Sequence, residues 1–285
     1  GPFEQIWVQP SPGDAGSALG AALWAWHEVH EQPRDPILPD GMRGSLLGPS
    51  TDPEDVATAV GASDRPFVRL TDPDERAERV AKLLSEGATI GVVQGRMEFG
   101  PRALGARSIL ADPRDPEMQR TLNLRIKQRE SFRPFAPVVL AERCADWFEF
   151  DGDSPYMSFV APVRGAEVAE ALASPSDDLV ERLSLVRSPI PAVTHVDGSA
   201  RLQTVTAQRA PDLHRLLSAF DRLTGCPVLL NTSFNVRGEP IVATAEDAYR
   251  CFMLTELDHL LVEDCLFDKA DQPPWQGEDI TRVED

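Results

Sequence analysis

The chain has 285 residues, 42% of them hydrophobic and 26% charged, with a net charge of −18. Such a charge argues against an extended nucleic-acid groove, whose affinity comes from Lys and Arg neutralising phosphates. Nearly apolar stretches such as Leu19–Trp26 and Ala88–Val93 fall far short of the ~20 residues a membrane span requires.

No basic start followed by an apolar segment opens the chain, so a cytoplasmic protein with no membrane association is expected. The four cysteines are separated by 82, 25 and 14 residues. That spacing builds neither a CxxC metal site nor a disulfide framework, and predicts free thiols in a reducing compartment. In chain order, Ile6-Trp7-Val8 reads as a short strand. The turn Pro12-Gly13-Asp14-Ala15-Gly16 precedes a helix from Ser17 to about His30. Residues 33–53 are rich in Pro, Gly, Asp and Ser and read as a linker. From Pro73 the pattern alternates between helix and strand. A helix over 74–86 places Ala77, Val80, Ala81 and Leu84 on one face, and Thr89–Val93 is a buried strand. Further strands are predicted at 135–140, 156–160, 202–206, 227–230 and 259–262, with helices near 115–125, 141–147, 211–224 and 245–254. The segment 165–190 reads as a surface helix and loop.

Only three of the 28 basic residues are lysines, Lys82, Lys127 and Lys269. Between Arg96 and Arg133 lie nine basic and five acidic residues, a local +4 in an acidic chain. An arginine-rich island suits a small polyanion, because guanidinium forks bind phosphate or carboxylate oxygens in pairs. A solvated, ion-paired surface gives the same composition.

Four motifs carry the chemistry. Gly95-Arg96-Met97-Glu98-Phe99-Gly100-Pro101-Arg102-Ala103-Leu104-Gly105-Ala106-Arg107-Ser108 follows a predicted strand, where α/β folds place ligand loops. Its G-x-x-x-x-G opening runs into Pro101-Arg102 rather than Lys-Ser/Thr, so it is not a Walker loop. It reads as a glycine-relaxed loop bearing three arginines. The second motif, Asn123–Pro137, carries Lys127 and Arg129, which point the same way if the segment is extended. The third is Val193-Thr194-His195-Val196-Asp197-Gly198-Ser199-Ala200-Arg201-Leu202-Gln203-Thr204-Val205. In the fourth, Leu229–Pro240, an apolar strand ends in the small polar residues Asn231-Thr232-Ser233-Phe234-Asn235, followed by Arg237. Ser233 has no adjacent base and is not read as a triad nucleophile.

Together, GRMEFGPRALGARSILADPR, NLRIKQRESFRPFAP, HVDGSARLQTV and LLNTSFNVRGEPIV resemble the C-terminal, YrdC-like domain of the O-carbamoyltransferases of the NodU/CmcH type. Lys127-Gln128-Arg129 resembles the K-x-R of YrdC domains, and Ser233-Phe234-Asn235 their S-x-N. The resemblance covers about residues 66–275. It implies an α/β fold, a YrdC-like twisted mixed sheet with flanking helices. Residues 1–45 resemble the end of the family's actin-like N-terminal domain, in which the Asp of PGDAG is a metal ligand; that position is Asp14. The resulting organisation is a remnant at 1–45, a linker at 46–69, the YrdC-like domain at 70–275 and an acidic tail at 276–285.

The resemblance implies a first reaction in which ATP, with Mg2+, and carbamoyl phosphate yield O-carbamoyl-adenylate. An upstream domain containing Fe2+ then passes the carbamoyl group to a hydroxyl of a small-molecule acceptor. Fe2+ is expected only in the complete enzyme. The implied catalytic residues are Lys127, Arg129 and Arg102. Nucleotide and carbamoyl phosphate are assigned to Arg96, Arg107, Ser108, Arg133, His195, Arg201, Thr204, Asn231, Ser233, Asn235 and Arg237. A homodimer is compatible with the resemblance. The competing readings are a threonylcarbamoyl-adenylate synthase-like enzyme, an RNA-binding YrdC module and a catalytically silent scaffold.

Overall fold

In the computed structural model, the described residues are 2, 6–35, 37, 41–51, 54, 56–57, 65–167 and 185–277. Most of the predicted surface insert and the acidic tail lie outside them. Among the described residues, nine strands form one mixed sheet in the order β1-β9-β8-β2-β3-β7-β4-β6-β5. They are β1 (Val68–Arg69), β2 (Ile90–Val93), β3 (Arg107–Ala111), β4 (Ala136–Leu140), β5 (Phe159–Pro162), β6 (Ser199–Val205), β7 (Val228–Ser233), β8 (His259–Val262) and β9 (Cys265–Asp268). β2 runs parallel to β8 and β4 parallel to β6. All other neighbours are antiparallel.

Local chemistry explains the helices. Helix Pro73–Ser85 begins with Pro at its first position, and Asp72 caps it by accepting from the amides of Asp74 and Glu75 at 2.9 Å. Its predicted face is buried and packs on helix Pro211–Thr224, whose Leu213, Leu216, Leu217 and Phe220 are buried. Helix Ala245–Met253 opens with a capping box between Thr244 and Asp247. β2, β3 and β4 are buried along their whole length, as central strands covered on both faces must be. Among the described residues no helix is long and apolar enough to cross a membrane.

Several expectations are corrected. Ile6-Trp7-Val8 is not a strand; both Ile6 and Trp7 are exposed, and the Trp7 ring meets Tyr156 edge-on at 5.8 Å. The N-terminal helix spans Asp14–Trp24 and continues as a π-turn over Ala25–Val29. Leu23, Trp24, Trp26 and Val29 on it are exposed, and nothing in this segment identifies an actin-like parent fold. The strand expected at 156–160 begins at Phe159. β3 lies inside the arginine motif, where a loop is expected. There Arg107 disguises a fully buried strand.

All four cysteines are free and buried. Burial pushes the Cys144 thiol up to about 11 and those of Cys226, Cys251 and Cys265 up to about 12. Native protein at pH 8 should therefore react slowly with an aromatic disulfide reagent, while guanidinium should release four equivalents. A rapid native equivalent would contradict this placement.

Candidate active site

The antiparallel and parallel registers bring the C-terminal end of β7 to the N-terminal ends of β3, β4 and β6. Strand alternation then sets Arg201 and Gln203 of β6, Ala136 of β4, Asn231 and Ser233 of β7 and Ser108 of β3 on one face. The four sequence motifs converge at this edge of the sheet, but their residues do different work.

The first group surrounds Lys127. Its side chain is buried, 3% exposed, and its Nζ donates to the carbonyl and hydroxyl of Ser233 and to the carbonyl and Oδ1 of Asn235. Ser233 Oγ also donates to Asn235 Oδ1 at 2.7 Å, and Asn235 Nδ2 donates to the Glu239 carbonyl at 2.7 Å. The K-x-R and S-x-N motifs thus close on one another. Burial, assisted by the Arg129 charge, pushes the Lys127 ammonium down from 10.5 to about 7. The four surrounding oxygens favour the charged form and limit that depression.

The expectation that Lys127 and Arg129 alternate along an extended segment is wrong. Lys127 follows a π-turn over Leu122–Ile126 and keeps helical dihedrals, and Gln128 is left-handed, with φ +51°. Arg129 therefore points elsewhere: its Nε donates to Asn123 Oδ1 at 2.6 Å and its guanidinium lies 5.0 Å from the Phe135 ring centre. Half-buried, it titrates below the usual arginine range because of burial and then of Arg133. Arg133 and Arg237 are exposed and share Glu130, at 2.9 and 3.7 Å.

A second group lies on β6. Arg201 is half-buried, its Nε has no hydrogen-bond partner, and burial followed by the Arg102 charge depresses it. His195 is lowered by burial and, secondarily, by Arg201, against Asp197; its Nδ1 is 3.1 Å from Ser199 Oγ. Arg102 is exposed beside Arg201. Among the described residues, neither Arg102 nor Arg201 has a carboxylate within ion-pair distance.

A third set is a frame. Arg107 is fully buried and donates to the carbonyls of Gln94, Gly95, Ala106 and Ala243 and to Thr51 Oγ1, so the reading of it as a phosphate ligand is corrected to a strut. Ser108 Oγ accepts from the Gly105 amide at 3.0 Å. Thr204 binds Asp153 and the Ser154 amide. Asn231 Nδ2 donates to the Ala103 carbonyl and to Gln203 Oε1, at 3.1 and 2.9 Å. Ser108 and Asn231 hold the loop on the sheet, and Thr204 ties β6 to Asp153 and Ser154.

Sequence reasoning missed three contributors. Glu98, 5% exposed, accepts from the amides of Leu104 and Ala106 at 2.7 and 2.8 Å and so folds the arginine loop around one carboxylate oxygen. Asn123 holds the K-x-R turn. The residues read as linker are a strap, because the Gly48 amide donates to the Met97 carbonyl at 2.9 Å, the Met97 amide to the Pro49 carbonyl at 2.8 Å, and the Phe99 amide to the Ser45 carbonyl at 2.6 Å. A side chain at Gly48 would meet the Met97 carbonyl at 2.8 Å, so the approach requires glycine. The single acid inside a glycine- and arginine-rich loop was the available signal for Glu98.

Arg96 donates to the Leu47 carbonyl of the strap at 3.0 Å. It lines a cleft of about 240 Å³ with Leu46, Leu104, Gln203, Thr204 and Leu213. That cleft includes neither Lys127 nor Ser233. Asp14 is the exposed first residue of its helix, behind Gly13 at the cap position. Among the described residues no three His, Cys, Asp or Glu are grouped to hold a metal.

The family model described as Carbamoyltransferase C-terminus matches residues 81–269. An uncharacterized protein of Synechocystis sp. is 50% identical over 287 residues, covering 98% of this chain and 46% of that protein. Nodulation protein NolNO of Sinorhizobium fredii is 41% identical over 286 residues, covering 99% and 38%. A 3'-hydroxymethylcephem-O-carbamoyltransferase of Amycolatopsis lactamdurans is 34% identical over 272 residues, covering 95% and 45%. The chain spans less than half the length of these relatives. It belongs to the carbamoyltransferase family of the NodU/CmcH type and contains that family's C-terminal domain.

Proposed function

We propose that this chain activates a carbamoyl group by forming O-carbamoyl-adenylate from ATP and carbamoyl phosphate, for delivery to a hydroxyl of a small molecule by another part of the full-length enzyme. The carrying observation is that Lys127, Arg129 and Arg201, all wholly or half buried, have no carboxylate within ion-pair distance among the described residues. A buried cation without a counter-ion is costly. Phosphate and carboxylate oxygens would supply the missing charge, each charge-assisted contact contributing ~1.5–3 kcal/mol.

The balance of the reaction is ATP plus carbamoyl phosphate plus water giving carbamoyl-adenylate, pyrophosphate and phosphate. Bringing two polyanions together requires fixed positive charge, which Lys127, Arg129, Arg102 and Arg201 provide. Lys127 is held rigidly by four oxygens and is suited to charge that develops at a phosphoryl oxygen. Mg2+ would arrive with the nucleotide, and no residue of this chain is assigned to it. Asp14 alone does not fit an iron site, so no step is assigned to iron here. The test is whether ATP and Mg2+ give pyrophosphate only when carbamoyl phosphate is added; its absence would overturn the proposal.

A further inference from the structure

Asn123 is completely buried, and its side chain and carbonyl bond to the five-residue loop that follows Gln128. Its carbonyl accepts from the Arg129 amide at 2.9 Å. Its Oδ1 accepts from Arg129 Nε at 2.6 Å, and its Nδ2 donates to the carbonyls of Ser131 and Arg133 at 3.0 and 2.9 Å. The amide-to-carbonyl bond from Arg129 back to Asn123 spans six residues across a left-handed Gln128, the geometry that ends a helix and usually falls to glycine. The chain therefore reverses at Gln128; Gln119 Nε2 also donates to the Phe132 and Arg133 carbonyls, at 3.2 and 3.1 Å, but among the described residues Asn123 alone also hydrogen-bonds the Arg129 side chain.

We propose that Asn123 is the positioning residue of Arg129. It fixes the guanidinium over Phe135 and close enough to Lys127 for the two charges to oppose one another, with Gln128 as the turn. The two amide ends divide the work: the oxygen orients Nε, and the nitrogen, together with Gln119 Nε2, closes the loop that carries Arg133. An aspartate keeps the first function, loses the second and neutralises the arginine. The inference deepens the adenylate-forming reading, which supplies the ligand for these cations, but its geometry is tested without nucleotide.

The experiment follows the lysine Cε signals of ¹³C-lysine-labelled chain through pH, which is tractable because only Lys82, Lys127 and Lys269 contribute. Asn123→Ala should free Arg129, raise the Lys127 midpoint by roughly half a unit and weaken ATP binding about tenfold. Asn123→Asp should retain folding and raise the midpoint at least as far, since a negative charge enters. Gln128→Gly, which keeps the left-handed turn, should leave midpoint and binding unchanged. An unmoved Lys127 midpoint in folded Asn123→Ala or Asn123→Asp would overturn the inference. If the unaltered chain binds no ATP, the functional proposal fails, while the midpoints still decide the role of Asn123.

Discussion

Lys127→Ala should abolish detectable adenylate formation and weaken ATP binding about a hundredfold, because the fixed charge and the Ser233–Asn235 turn that it holds are lost together. The pH dependence should change with it. With a folded value near 7, Lys127 is about half charged in the free protein at neutral pH, and bound phosphate favours the charged form. Binding by the unaltered chain should be flat below pH 7 and fall as pH rises above it, by up to tenfold per unit. Lys127→Ala should flatten that profile. Stability moves in the opposite sense. Between pH 7 and 10.5 the unfolded chain holds a proton at Lys127 that the folded chain has released, so stability rises with pH across that window. The alanine variant should lack this rise. Titration calorimetry and denaturant unfolding at several pH values check both, and a variant that keeps the pH profile would remove Lys127 from the site.

The second large effect is on folding. Glu98→Ala leaves the buried amides of Leu104 and Ala106 without an acceptor, each costing ~1–3 kcal/mol, and opens a void beneath the loop. A loss of roughly 3–5 kcal/mol should lower the thermal midpoint by about 10 °C. Glu98→Gln keeps an acceptor oxygen and should cost about 1 kcal/mol. Because Arg96 and Arg102 flank the folded turn, the alanine variant should also bind ATP less well than its residual folded fraction explains. Equal stability of the alanine and glutamine variants would show that the carboxylate does not organise the loop.

Much of this architecture was legible from periodicity. Ala77, Val80, Ala81 and Leu84 marked a helical face, the apolar run Thr89–Val93 marked a buried strand, and strands were expected at 135–140 and 227–230, where β4 and β7 lie. Family resemblance marked the K-x-R and S-x-N motifs separately, and no local pattern announced that Ser233 and Asn235 hold Lys127. What stayed hidden has physical causes. Arg107 looked like a ligand because a charged residue in a glycine-rich loop usually faces solvent, yet carbonyls of Gln94, Gly95, Ala106 and Ala243 satisfy it inside the sheet. Lys127 and Arg129 suggested alternation, but a π-turn followed by a left-handed Gln128 obeys neither the period of a strand nor that of a helix. The strap at 44–51 is polar and glycine-rich, a composition shared by free linkers and by segments held through hydrogen bonds to a neighbouring loop. Two residues of one kind also diverged: Arg129 and Arg133 both sit in the island, but Arg133 is neutralised by Glu130 while Arg129 is not.

On the proposed reading, cations buried without carboxylates serve adenylate formation in this domain. Mass spectrometry of the quenched mixture of chain, ATP, Mg2+ and carbamoyl phosphate tests it most directly. The expected products are O-carbamoyl-adenylate, with pyrophosphate and phosphate in equal amounts and both dependent on carbamoyl phosphate, and no carbamoylation of an added alcohol by this chain alone. Pyrophosphate without carbamoyl phosphate, or no adenylate despite bound ATP, would contradict it.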